Sequence, residues 1–257
     1  MARTAPTSSR RPAVALAGAA AVLCTLIALV LAATAPGKAA DILGNVGGKA
    51  PPSCPTPKSG SSATDPKFCQ AIASVTGFQM VGHGKRAALK VPKDGRIVAW
   101  SVDISEPSAD EQNSFISTFK FGQPTARIAV LKPGSKSKFR LAKQSPKVDL
   151  TAELGTKPIF TLKSPLRVKK GSVIAISTAN WIPNLAHDGA LTANGDKWRA
   201  SRSRKKCGTD PNKTPAENKA DILASKPQKK VGTTRTYGCT YTASRLLYQA
   251  YYVPNGK

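Results

Sequence analysis

Arg96-Ile97-Val98-Ala99-Trp100-Ser101-Val102-Asp103-Ile104 alternates strictly: Val98, Trp100, Val102 and Ile104 fall on one face, Ala99, Ser101 and Asp103 on the other. Successive side chains of an extended chain point to opposite sides, so a period of two predicts a strand with one face in a core. Lys93-Asp94-Gly95 supplies the turn before it. The same pattern recurs downstream. Ala126, Ile128 and Val130 alternate with Arg127 and Ala129 up to Pro133-Gly134, and Phe139 and Leu141 alternate with Lys138 and Arg140 in the partner. The two runs predict a hairpin with a loop of four or five residues. Ile159 to Leu162, Leu166 to Val168, Val173 to Ser177, Arg235 to Thr242 and Leu246 to Val253 are further candidate strands.

About eight short strands with polar turns predict a mainly β fold, a single antiparallel β-sandwich or jelly-roll-like domain. Residues 78–257 are enough for one two-layer core, and no later shift in composition divides them. Two segments break the alternation. Ser108 and Glu111 stand three apart as a capping box, with Phe115 and Phe119 one helical turn apart, which predicts a short helix from Ser108 to about Phe119. Ala216, Ala220 and Leu223 share helical spacing behind Pro215, which predicts a second over Pro215 to Ala224. Upstream, Gly47-Gly48, Pro51-Pro52 and Ser59-Gly60-Ser61-Ser62 make 41–77 read as a linker with a disulfide loop, Lys67 to Val75 forming a helical turn within it.

The first forty residues carry an address. Arg3, Arg10 and Arg11 precede an uncharged apolar run from Ala13 to Ala35 and the small-residue segment Pro36-Gly37-Lys38-Ala39-Ala40. A basic start, an apolar stretch and small residues are how an export signal is built. Cleavage after Ala39 is favoured over cleavage after Ala40, because the latter would put Lys38 at a recognition position. An uncleaved anchor over residues 13–35 is the alternative, since the run matches the roughly 20 residues that span hydrocarbon. Either way the remainder is expected outside the cytoplasm, secreted or at the cell surface, and touches a membrane only through this segment. Pro12-Ala13-Val14 lacks the bulky residues that usually follow a twin-arginine pair.

Four cysteines follow the leader, and an oxidising compartment keeps disulfides. Proximity favours Cys54–Cys69 and Cys207–Cys239, each crosslink being worth about 3 kcal/mol by loop entropy. No two cysteines have C-x-x-C spacing, and His83 and His187 are the only histidines, so neither a metal nor a cofactor is expected.

Of 39 Lys and Arg, four fall in the first forty residues, which hold no acid, so 35 face all 14 Asp and Glu in the remainder. Such a surface attracts polyanions, although excess charge also simply keeps a domain soluble. The densest run is Trp198-Arg199-Ala200-Ser201-Arg202-Ser203-Arg204-Lys205-Lys206-Cys207. Trp198, Arg199, Arg202, Arg204, Lys205 and Lys206 are the candidate binding residues, because guanidinium forks match phosphate and carboxylate geometry. The opposing reading puts Trp198 in the core with the arginines on the solvent side of its strand. Nucleic acid is not expected: aromatics are 6% of the chain and no stacking motif is present.

His187-Asp188 invites a hydrolase reading, but neighbouring side chains on an extended chain diverge and no G-x-S-x-G stands nearby. Asp103, Glu106, Asp110 and Glu111 cluster in sequence, yet the last two serve a helix start. No catalytic residue is assigned. Asn212-Lys213-Thr214 matches a glycosylation acceptor, a tripeptide that chance supplies often.

Gly95 to Trp100, Ala126 to Leu131, Phe139 to Pro146, Pro165 to Ala175, Trp198 to Arg202 and Tyr237 to Tyr241 together resemble a loose group of uncharacterised exported β-sandwich proteins from actinobacteria. The resemblance covers roughly residues 80 to 253 and implies a sandwich and export; it carries no activity and transfers no functional residue. The leading expectation is therefore a cell-surface or secreted binding module for an anionic envelope polymer, glycan or protein. A structural envelope protein without a discrete ligand and an extracellular hydrolase are the alternatives.

Overall fold

The structure is a computed structural model that describes residues 39–47, 50, 52–54, 69–187, 189–208 and 211–256. Most of the predicted export segment lies outside the described residues. In chain order the described strands are β1 (Asp41–Leu43), β2 (Ile72–Gly82), β3 (Lys85–Arg86), β4 (Gly95–Val102), β5 (Thr125–Pro133), β6 (Lys138–Gln144), β7 (Val148–Asp149) and β8 (Ile159–Val168). They continue with β9 (Val173–Ile182), β10 (Leu185–His187), β11 (Lys197–Ala200), β12 (Thr234–Thr236), β13 (Cys239–Thr242), β14 (Ser244–Leu246) and β15 (Tyr248–Pro254).

The described strands make a mainly β, antiparallel, β-sandwich-like domain curled as a half-barrel. The smaller sheet runs β1-β15-β4-β8, and the larger runs β12-β6-β5-β9-β2-β11-β13, with β3 and β7 beside it and β10-β14 as a separate pair. Between the two sheets, Ile97, Trp100, Val102 and Ala250 meet Val75, Ile128, Val130, Ile174, Ile176 and Trp198. Trp100 is fully buried; a core tryptophan of this kind carries about 3–5 kcal/mol relative to alanine. The other face of the larger sheet has its own apolar cluster, Phe78, Leu131, Phe139, Leu141 and Tyr237. The segment 226–238 covers it: the Gln228 amide donates to the carbonyls of Phe139 and Thr233, and Tyr237 Oη donates to Gln228 Oε1.

The alternation of the opening stretch is interrupted. Tyr251 pairs with Ala99 and Tyr252 with Ile97, so Val98 is an extra residue in a β-bulge. A bulge shifts the side-chain phase by one. Consequently Ile97 joins Trp100 and Val102 in the core, while Val98 is half-exposed. The β5–β6 hairpin turns through residues 134–137, and the two candidates around Pro165 are one bulged edge strand, β8.

The described ends of the stretch 41–77 are built into the sheets. Asp41–Leu43 adds to the edge of the smaller sheet beside β15, and Ile72–Thr76 is already strand, so the predicted helical turn up to Val75 does not form there. The globular part thus extends upstream of residue 78. Cys54–Cys69 and Cys207–Cys239 are the disulfides. Ser108 and Glu111 form their capping box at α1 (Ala109–Asn113), after which the chain widens into a π turn, Ser114–Thr118. Helix α2 is Gly189–Ala193, and α3 is Pro215–Leu223, capped by Thr214 with Glu217. Among the described residues no helix is long and apolar enough to cross a membrane.

Candidate anion-binding site

Strand β11 separates the residues that the basic run brings together in sequence. Its alternation sends Trp198 inward, 3% exposed, with Nε1 donating to Ser244 Oγ at 3.1 Å and the ring stacked on Tyr241 at 4.5 Å. The ring lies flat against Gly77, where a Cβ would come within 2.9 Å of it, so only glycine admits this packing. Trp198 is therefore a core anchor, as the second reading has it, but Arg202 does not lie on the solvent side as that reading also required. Arg199 points to the opposite face and donates to Ser137 Oγ at 3.0 Å. Burial, and then the charge of Arg204, pull its guanidinium below its usual pKa.

Beyond β11 the backbone turns. Ser201 N donates to Thr76 O, and Arg202 swings beneath the loop that follows. Arg202 is only 7% exposed. Its Nε donates to Ser225 Oγ at 3.0 Å, Nη1 to Tyr241 Oη at 2.7 Å and Nη2 to Ala73 O at 2.9 Å. All three acceptors are neutral. A buried charge is costly unless an opposite charge or polar groups compensate it, and among the described residues no carboxylate forms an ion pair with Arg202.

Next comes a 3₁₀ turn, Arg204–Lys206, with all three side chains exposed. The Cys207–Cys239 disulfide holds it onto β13. Gly238 allows the close approach: its N–H donates to Arg202 O at 2.7 Å, and a Cβ there would lie 2.7 Å from Arg204 N. The pinned loop closes a pocket of about 260 Å³ lined by Arg202, Lys206 and Arg235 with Ser201, Ser203, Ser225 and Thr236. Three cations and four hydroxyls face it, without a carboxylate in the lining.

Arg202 also lines a second cavity, of about 440 Å³, whose walls include Ala71, Ile72, Leu185, Trp198 and Tyr241, with Gln70, Thr240 and Thr242 supplying neutral polar groups. Of the six candidates, Arg202 and Lys206 share the cationic pocket and Trp198 lines its neighbour. Arg199 and Arg204 lie to one side, and Lys205 is exposed, its carbonyl accepting from Lys213 Nζ. Arg199, Arg202 and Arg204 do not converge. Arg235 and Tyr241 complete the two cavities. Neither belongs to the basic run; Tyr241 is signalled only by the aromatic and cysteine pattern Tyr237 to Tyr241, and Arg235 by nothing.

A larger cavity, about 510 Å³, lies between residues 44–47, 50 and 52 and the turn from β14 to β15. Its arginine, Arg245, is neutralised by Asp196 at 2.7 Å, and the rest of its charged lining is one acid, Asp103, and one base, Lys157. It lacks the single-sign charge of the smaller pocket. As for the histidine proposed and discounted for catalysis, His187 pairs through its backbone with Ser244 in the β10–β14 ladder.

No protein-family model matches the chain, and neither a curated protein nor a solved structure matches it.

Proposed function

We propose that this protein is an exported binding module that holds an anionic polymer of the cell envelope through the pocket of Arg202, Lys206 and Arg235. The observation that carries the reading is Arg202, buried among neutral acceptors beside a cavity with two further cations and no carboxylate. An anionic group entering there supplies the missing opposite charge and meets donors already in place. Two features agree with a site outside the cytoplasm: the arginine-led apolar leader and the two disulfides, one of which fixes the cationic loop. The strongly basic remainder of the chain adds a long-range attraction to polyanions.

Co-sedimentation with purified cell wall tests this. Retention at low salt should fall as salt rises, because exposed charges are screened over about 10 Å at 0.1 M. The double substitution Lys206→Gln with Arg235→Gln should weaken retention about tenfold or more, each charge-assisted bond being worth about 1.5–3 kcal/mol. Retention that ignores both salt and the double substitution would remove the proposal.

A further inference from the structure

We infer that the polymer is an acidic polysaccharide, with its charged substituent in the cationic pocket and a sugar ring in the adjoining cavity beside Tyr241. This rests on the reading of the cationic pocket given above. Arg202 is the one residue that lines both cavities, so the charged pocket and the aromatic cavity adjoin at its side chain. Their chemistry is complementary rather than repeated. The first offers cations and hydroxyls; the second has Arg202 as its only charged lining residue and otherwise presents aromatic, aliphatic and neutral polar groups.

The aromatic wall is preorganised. Tyr241 Oη donates to Cys207 O and accepts from Arg202 Nη1, both at 2.7 Å, and the ring packs against Trp198, itself fixed through Ser244. The guanidinium carbon stands 5.9 Å from the ring centroid while its nitrogen bonds the hydroxyl, which places Arg202 at the hydroxyl end of the ring. A pyranose has an apolar C–H face for an aromatic wall and a rim of hydroxyls for Gln70, Thr240 and Thr242. A bare polyphosphate has no such face, since charge surrounds its whole chain. Single-stranded nucleic acid also combines phosphate with a flat ring. It is served by a cationic groove that tracks the backbone beside several stacking rings, whereas here a single Tyr241–Trp198 stack stands at a cavity lined with side-chain hydroxyls and an amide.

The probes are polygalacturonate, inorganic polyphosphate, neutral dextran and an oligothymidylate, titrated calorimetrically into the full chain. Polygalacturonate should bind about tenfold more tightly than polyphosphate or the oligonucleotide at equal charge, the gain of one ring contact, and dextran should not bind measurably. Ala71→Phe, which fills the aromatic cavity from its half-exposed wall, should weaken polygalacturonate about tenfold and leave polyphosphate unchanged. Thr242→Trp at the exposed lip is the second blocking variant, and circular dichroism confirms that each remains folded. Equal affinity for polyphosphate or oligonucleotide, or indifference of polygalacturonate to both blocking variants, overturns the sugar assignment. If Lys206→Gln with Arg235→Gln still weakens every polyanion in that case, the cationic pocket stands. If that double variant weakens none, the pocket reading falls instead.

Discussion

Arg202 and Arg245 are both buried arginines, 7% and 4% exposed, yet they have opposite surroundings. Arg245 donates to the Asp196 carboxylate at 2.7 Å and to Gly47 O, and Asp196 in turn accepts from His83 N at 2.6 Å. Its charge is cancelled within the protein, and the pair ties residues 44–47 to β14 and to the turn after β2. Arg202 meets a hydroxyl, a phenol and a carbonyl, and lines a cavity that two other cations share. One arginine is a closed structural tie; the other, on the proposed reading, is half of an ion pair whose second half is a ligand. On that reading the bigger cavity is the poorer candidate, because what matters is a charge left open, not the volume beside it.

The largest effect should come from opening the closed pair. Asp196→Asn strands Arg245 in the interior, and removing one partner of a buried pair costs about 3–5 kcal/mol. The urea midpoint should fall accordingly, and a loss below about 1 kcal/mol would mean that the two arginines are not so different after all. Next in size is the staple under the cationic loop. Replacing Cys207 and Cys239 together by serine should cost about 3 kcal/mol of unfolding free energy and should weaken polyanion binding, because Ser203 and Lys206 lose their fixed place. The same change at Cys54 and Cys69 should lower stability while leaving that binding intact.

Smaller still is the direct test of the open arginine. Arg202→Met removes three hydrogen bonds and leaves Ala73 O without that donor, so the loss should be about 1–3 kcal/mol. Phosphate at high concentration should raise the melting temperature of the native protein, by mass action on the folded state, and should not raise that of Arg202→Met. Equal stabilisation of both would place the anion elsewhere.

How much of this was legible follows from how local each signal is. The alternation of Ile128 and Val130 with Arg127 and Ala129 depends only on the chain's own faces, and it marks β5 correctly. The bulge at Val98 depends on Tyr251 and Tyr252 at the far end of the chain, so a strict period of two in Arg96–Ile104 hid it. Asp41–Leu43 was invisible for the same reason. Three residues in a Gly- and Pro-rich stretch become a strand only because β15 offers them an edge. Within the site, the basic run flagged Arg202 and Lys206 by charge alone. Its burial could not be read there, since Ala73, Ser225 and Tyr241 come from three distant segments. Arg235 sits in the short strand Thr234–Thr236, one basic residue in a chain with 39, without anything nearby to single it out.

The segment that supplies Arg235 gives the finest test, through pH. Tyr237 in that segment is buried, and burial pushes its hydroxyl well above the ordinary 10.0, as it does that of Tyr248. Both donate inside the protein, Tyr237 to Gln228 Oε1 and Tyr248 to Ile174 O. A folded pKa above the unfolded one means that the folded state holds more protons on the alkaline side. Stability is therefore complete below about pH 10 and falls as pH rises through and beyond it, by about 1.4 kcal/mol per pH unit for each such tyrosine. Tyr237→Phe should cost about 1 kcal/mol at pH 8 through the lost bond and should flatten the alkaline decline by the share of one tyrosine. An unchanged slope would show that Tyr237 ionises freely in the folded state, and hence that residues 226–238 do not seal the outer face of the larger sheet. Arg235 would then hang from an unfixed cover, and the contrast between a closed arginine and a preorganised open one would rest on Arg202 and Lys206 alone.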